Sequence, residues 1–216
     1  MQLEDLNIKY DLLQQKYGAK ELDAIYNGGC IENPDICFVF MNPTGRNIAS
    51  SKMWKGLKSP WIGTKNVWTL FYQLNLIDQN IYEKIRKIKG KEWTPDFAEE
   101  VYENVIQHKY FLTNLGKCTQ LDARALPDTI YLELLKKEIE IIQPKVIILF
   151  GNQVSSIVLG ENISVSQCRK QRFIKEINGF KYHFYSVYYP IGNGTFHMDK
   201  AIEDIKWIIK NEVQEG

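Results

Sequence analysis

Six consecutive residues, Ile36-Cys37-Phe38-Val39-Phe40-Met41, carry no strongly polar side chain, and they stop at Asn42-Pro43-Thr44-Gly45. So short a run is no buried helix, and a strand with one wet face would alternate apolar with polar residues. An unbroken apolar strand is buried on both faces, which calls for a largely parallel sheet covered by helices on either side. Two further runs repeat the pattern: Tyr110-Phe111-Leu112-Thr113 ending at Asn114, and Lys145 to Phe150 stopping at Gly151.

Helical signals lie between these runs. Leu6, Tyr10, Leu13 and Tyr17 recur at helical spacing within Leu3 to about Ile25, which predicts a surface helix. Asn66 to Ile77 reads as a second helix, and Thr94-Pro95-Asp96 opens a third with a capping hydroxyl, a first-turn proline and an acid. Asp128 to Ile142, a segment through Val154, Ile157 and Leu159, and Met198 to about Val213 complete the set. Asn178-Gly179 between Phe173–Ile177 and Phe180–Tyr188 is a hairpin signal. The expected fold is a three-layer α/β/α sandwich with a central, mainly parallel four-stranded sheet. At about 150 residues per domain, one domain over 1–216 is expected, with 1–26 as an N-terminal helical segment and 27–209 as the core.

Composition narrows the class. Hydrophobic residues at 44%, with only 7 Pro and 14 Gly, exclude a disordered tail or a fibrous repeat. The N-terminus lacks a basic stretch followed by an apolar run, and no apolar stretch reaches the roughly 18 residues that span a bilayer. A cytoplasmic location without membrane association is therefore expected. Cys30, Cys37, Cys118 and Cys168 show no zinc-knuckle or redox spacing, so four buried thiols are expected. No phosphate-cradling loop, dinucleotide-binding glycine turn or nucleophile elbow is present.

Right-handed crossovers place the strand-to-helix loops on one sheet edge, where ligands of such sheets bind. That edge collects Asn42-Pro43-Thr44-Gly45, Asn114-Leu115-Gly116-Lys117, Gly151-Asn152 and Tyr188 to Gly194. Amides, glycines and aromatics suit a flat heterocycle better than a divalent cation, so no metal is expected. Charge adds to this. The formal +1 hides two clusters: Arg46, Lys52, Lys55, Lys58 and Lys65 give +5 over residues 36–77, and 168–181 carries +4, leaving −8 for the remainder. Trp54, Trp61 and Trp68 interleave the first cluster, a combination that fits a nucleic-acid strand.

The ordered strings Phe38-Val39-Phe40-Met41-Asn42-Pro43, Ser59-Pro60-Trp61-Ile62-Gly63 with Lys65-Asn66-Val67-Trp68, Phe111 to Cys118, and Gln143 to Gly151 resemble the uracil-DNA glycosylase superfamily over about Asn27 to Ile209. Asn42-Pro43 is similar to the mismatch-specific and single-strand-selective branches, and the later strings to the thermostable iron–sulfur branch. The resemblance implies a monofunctional glycosylase acting on DNA that contains uracil or another deaminated base, working as a monomer in base excision repair. It implies that Asn42 holds the attacking water, that Trp61 stacks on the flipped base with Met41 beside it, and that Asn114 reads the pyrimidine edge. Tyr189 stands where the family carries a histidine, and a phenol can donate a hydrogen bond to the leaving base. Phe196 matches the apolar wedge; His197 could reach back to the site, and Asn193 with Arg46, Lys52, Lys55, Lys58 and Lys65 would contact DNA. Cys118 falls at an iron–sulfur ligand position, but Leu134 and Leu135 occupy the region of the next ligand, so no cluster and no cofactor are expected. Because Tyr189 replaces the histidine, the alternative is a protein of this fold that binds nucleic acid or a nucleobase without cleavage.

Overall fold

Gly28–Gly29 (β1), Ile36–Phe40 (β2), Tyr110–Asn114 (β3), Val146–Phe150 (β4), Arg172–Ile177 (β5) and Phe180–Val187 (β6) form one sheet in the order β1-β3-β2-β4-β6-β5. The computed structural model describes residues 2–122 and 129–214, without the side chains of 129, 130 and 193–195. The four inner strands β3, β2, β4 and β6 run parallel, as the apolar runs require. The sheet is wider than four strands because β1 and β5 pair antiparallel at its two edges. In the β5–β6 hairpin, Asn178 at φ 49° and Gly179 at φ 85° take the left-handed turn that this dipeptide favours.

Helices cover both faces. Among the described residues, Glu4–Tyr17 (α1), Asn66–Gln73 (α2), Gln79–Lys87 (α3), Pro95–Gln107 (α4), Thr129–Ile142 (α5), Asn152–Leu159 (α6) and Met198–Ile208 (α7) are α-helical. Even-numbered residues of β2 (Ile36, Phe38, Phe40) pack with α2, α3, α4 and α7, and odd ones (Cys37, Val39) with α1, α5 and α6. Every side chain of β2, β3 and β4 is buried, and each fully buried Phe, Ile or Leu contributes about 1.5–3 kcal/mol. Thr94 opens α4 as expected: its hydroxyl accepts from Phe97 N–H at 3.2 Å.

Three helix readings need correction. The first helix stops at Tyr17 rather than near Ile25, because Gly18 takes an extended conformation. It is no mere surface helix either, since Leu6 and Tyr10 are fully buried. The helix read as Asn66 to Ile77 ends at Gln73, where Asn75 turns the chain at φ 57° and Leu76 N–H closes back on Phe71 O at 2.8 Å. Behind that turn lies α3, which the sequence reading missed; only Ile81 and Ile85 of its nine residues are buried, too sparse an apolar stripe to stand out. Asp128, taken as the start of α5, lies outside the described residues. Cys37, Cys118 and Cys168 are buried as expected, whereas Cys30 is half-buried. Among the described residues no helix is long and apolar enough to cross a membrane.

Candidate active site

The first strand of the parallel core, β2, sits inside the sheet, flanked by β3 on one side and β4 on the other, so the chain reverses its direction of travel across the sheet there. Such a switch point opens a crevice beyond the strand carboxyl ends. A cavity of about 730 Å³ occupies that crevice, and residues from four strand ends line it: Met41 and Asn42 after β2, Asn114 of β3, Phe150 and Gly151 of β4, and Tyr189 after β6. The cross-strand register explains their convergence, since Phe40 pairs with Asn114 and Phe150 with Val187.

Each polar group at the cavity has a distinct state. Asn42 donates its amide nitrogen to the Pro43 carbonyl at 3.2 Å, which leaves its amide oxygen to accept a hydrogen bond from water. Asn114 is 3% exposed and its Nδ2 has no hydrogen-bond partner among the described residues. An orphaned buried amide costs about 1–3 kcal/mol, a cost that a ligand acceptor removes. Burial pushes the Tyr189 phenol up to about 12, so it stays protonated at neutral pH as a donor.

Trp61 is held under strain. Its φ of 69° is a left-handed conformation that costs a non-glycine residue about 1–2 kcal/mol. Its carbonyl is fastened by Thr64 N–H at 3.1 Å, Thr64 Oγ1 at 2.7 Å and Trp68 Nε1 at 3.2 Å. Its ring stands edge-on to Phe40 at 4.8 Å, and Phe40 meets Phe150 at 4.6 Å and Tyr189 at 6.4 Å, which makes one wall aromatic. Gly151 turns from β4 into α6 at φ 88°, and a Cβ there would sit 3.4 Å from Tyr189 Cβ. That is ordinary contact, so the position suits glycine for its left-handed backbone rather than for space.

The family model for the uracil DNA glycosylase superfamily matches residues 27–206. The chain belongs to that superfamily. Among curated proteins none matches the chain. The match begins at the residue before β1, so α1 lies outside the matched residues.

Within this superfamily fold, five of the residues singled out from sequence meet at the cavity, namely Met41, Asn42, Trp61, Asn114 and Tyr189, and Arg46 and Lys65 join them at its wall. Lys52, Lys55 and Lys58 do not line it. Lys58 is ion-paired with Asp23, and Lys52 donates to the Lys20 carbonyl at 2.7 Å. Lys65 donates to the Arg86 carbonyl at 2.7 Å, near the C-terminal end of α3, where a cation is favoured. His197 stacks on Tyr188 at 4.5 Å and is not among the cavity residues, so the reading that it reaches back to the site is corrected. Phe196, at 90% exposed, projects from the short 3-10 helix Gly192–His197; the side chain of Asn193 lies outside the described residues. Thr64, Phe150, Gln153 and Asp122 also line the cavity and were missed. Phe150 lies within a run that was read, and Thr64 and Gln153 adjoin motifs that were read, but nothing local in the sequence marks Asp122.

The second basic cluster also needs correction. Arg169 grips the fully buried Asp204 through two nitrogens and also pairs with Glu203; Lys170 pairs with Glu203. Arg172 pairs with Glu212 at 2.6 Å, and Lys175 with Glu161 at 3.5 Å. The local +4 is therefore largely spent on carboxylates of the C-terminal helix and α6–β5 loop. Burial pushes the Cys37, Cys118 and Cys168 thiols above their usual range. Among the described residues no three His, Cys, Asp or Glu side chains gather into a metal-binding group.

Proposed function

We propose that the protein is a monofunctional DNA glycosylase that hydrolyses the N-glycosidic bond of uracil or a related deaminated base, leaving an abasic site. The observation that carries this reading is one cavity joining three complementary groups: the amide oxygen of Asn42, the buried Asn114 amide nitrogen that has no partner among the described residues, and the protonated phenol of Tyr189. Asn114 satisfies its orphaned donor on a carbonyl oxygen of the base, and Trp61 offers its face for stacking, worth about 1–3 kcal/mol. The C1′–N bond breaks with its electron pair leaving on the base. Tyr189 donates a hydrogen bond to the charge that develops there. Water held by Asn42 adds to C1′ of the oxocarbenium-like sugar, and its proton goes to the departing base anion. A neutral amide orients water without abstracting its proton, so turnover is slow.

Arg46 and Lys65 at the cavity wall support a DNA backbone approaching from that side, and exposed Phe196 fits the gap left by an extruded nucleotide. The protein acts as a monomer in this reading. Incubation with a uracil-containing oligonucleotide followed by alkali is expected to give strand scission at the uracil. Absence of scission with uracil, hypoxanthine and xanthine substrates at stoichiometric protein overturns it. Tight, salt-sensitive binding without an abasic product would instead favour a protein that binds without cleaving, the reading that Tyr189 in place of histidine favours.

A further inference from the structure

The helix outside the family match carries two buried polar residues on its inner face. A helix that only covered a sheet would present apolar side chains there, yet α1 turns Tyr10 and Gln14 inward, at 0% and 6% exposure. Tyr10 OH donates to Glu138 Oε1 at 2.7 Å. Glu138 and Lys117 are both fully buried. Glu138 also accepts from Lys117 Nζ at 2.8 and 2.7 Å, from Thr113 Oγ1 at 2.8 Å and from Asn27 Nδ2 at 2.8 Å. Gln14 closes a second latch one turn along the helix. Its Oε1 accepts from Thr119 N–H at 2.6 Å, and its Nε2 donates to the carbonyls of Thr119 at 3.3 Å, Ala19 at 3.1 Å and Leu22 at 3.0 Å.

Both latches close on residues 113–119, the segment that carries Asn114. On its other side that segment is zipped by backbone bonds to the loop that carries Asn42. Leu115 N–H donates to Phe40 O and Gly116 N–H to Met41 O, each at 2.7 Å; Gln120 N–H donates to Pro43 O at 3.1 Å, and Gly45 N–H to Gln120 O at 2.9 Å. The segment is thus clamped between α1 and the Asn42 loop. Replacing a buried ion pair by well-packed apolar residues of similar volume is often neutral or stabilising, so the pair by itself is weak evidence of a purely stabilising role.

We propose that α1 is a positioning element of the active site: through Gln14 and Tyr10 it holds residues 113–120 and thereby sets the spacing between Asn42 and Asn114. The catalytic consequence rests on the glycosylase reading above; the mechanical link between α1 and the two loops does not. Gln14 and Tyr10 are positioning residues, since neither lines the cavity.

The test uses the full chain with Gln14→Leu and Tyr10→Phe, read by hydrogen exchange and by steady-state kinetics. Gln14→Leu is expected to speed exchange of the Leu115, Gly116 and Gln120 amides about tenfold. It is also expected to lower kcat on a uracil oligonucleotide about tenfold with KM unchanged. Tyr10→Phe keeps the ring and is expected to give a smaller loss in the same direction. Unchanged exchange at these amides, or faster exchange with unchanged kcat, overturns the proposal. Should Gln14→Leu fail to fold, Tyr10→Phe decides by the same two readouts. If the wild-type chain cleaves no base, the glycosylase reading falls separately. Exchange at the three amides and quenching of tryptophan fluorescence by free uracil then decide the positioning role: faster exchange with weaker uracil binding supports it, and either one unchanged overturns it.

Discussion

Two stretches of this chain look alike in sequence and differ in the fold. Residues 36–77 carry five cations and no acid, and 168–181 carry five cations and one acid. In the first, Arg46 and Lys65 reach the cavity wall, and among the described residues only Lys58 of the five has an ion-pair partner. In the second, Arg169, Lys170, Arg172 and Lys175 are all paired with carboxylates. A cation already holding a carboxylate gives up that partner before it can hold a phosphate, so the second stretch keeps only Lys181 without an ion-pair partner among the described residues, whereas four of the five cations in the first stretch are in that state. A run of basic residues is a statement about composition; its availability depends on what the fold places opposite.

The comparison can be pressed in order of expected effect. The largest concerns the proposed catalysis, at the edge whose cavity Arg46 and Lys65 of the first stretch line. Asn42→Ala is expected to lower single-turnover cleavage of a uracil oligonucleotide by about 10²–10³, the usual cost of losing one positioned transition-state contact, while Arg172→Ala leaves it unchanged. Tyr189→Phe is expected to cost about 10² in kcat, the lower end of the usual loss for one such donor. The phenol also fixes a pH signature. Its value in the fold, about 12, lies above the roughly 10 of an unfolded tyrosine. Its contribution to stability is therefore complete below about pH 10 and lost as pH rises through about 12. The pH–rate profile is expected to show no fall from Tyr189 ionisation before about pH 10; a fall near pH 8 that Tyr189→Phe removes would contradict this.

Next in size is binding. Arg46→Ala with Lys65→Ala is expected to weaken affinity for the oligonucleotide about tenfold at low salt and to reduce the slope of log K against log salt by about 2. Lys170→Ala with Arg172→Ala is expected to leave that slope unchanged; an equal loss in both pairs would erase the contrast. The smallest effect on function comes from Asp204→Asn, which strips Arg169 of its buried partner. Arg169 is 29% exposed, so water offsets part of the loss, and a cost of about 2 kcal/mol is expected. In a chain of this size that lowers Tm by roughly 4–8 °C, read by calorimetry, with cleavage per folded molecule unchanged.

Much of the fold was legible because burial writes short periods into sequence. The parallel strands β2, β3 and β4 showed as unbroken apolar runs, and Asn42, Asn114 and Gly151 could be placed at one edge because they end those runs. The α3 helix was missed because two buried isoleucines in nine residues make too faint a stripe. The strained φ of Trp61 was invisible, since an aromatic carries no left-handed preference and the three bonds that hold it come from Thr64 and Trp68. The long-range contacts of α1 were out of reach for a different reason. Its helical spacing was plain, yet Tyr10 meets a partner 128 positions away and Gln14 one 105 positions away.

The sequence by itself determined a parallel sheet with helices on both faces, the edge on which its strand ends gather, and the amide and aromatic character of that edge. These follow from side-chain type and local period, which the backbone geometry of helix and strand converts directly into burial. Only the tertiary structure decided which cations stay available, that the Asn114 Nδ2 has no partner among the described residues, and that Tyr10 and Gln14 of α1 bond to residues far along the chain. Each of those depends on a pairing between residues distant along the chain, and no local pattern encodes the partner.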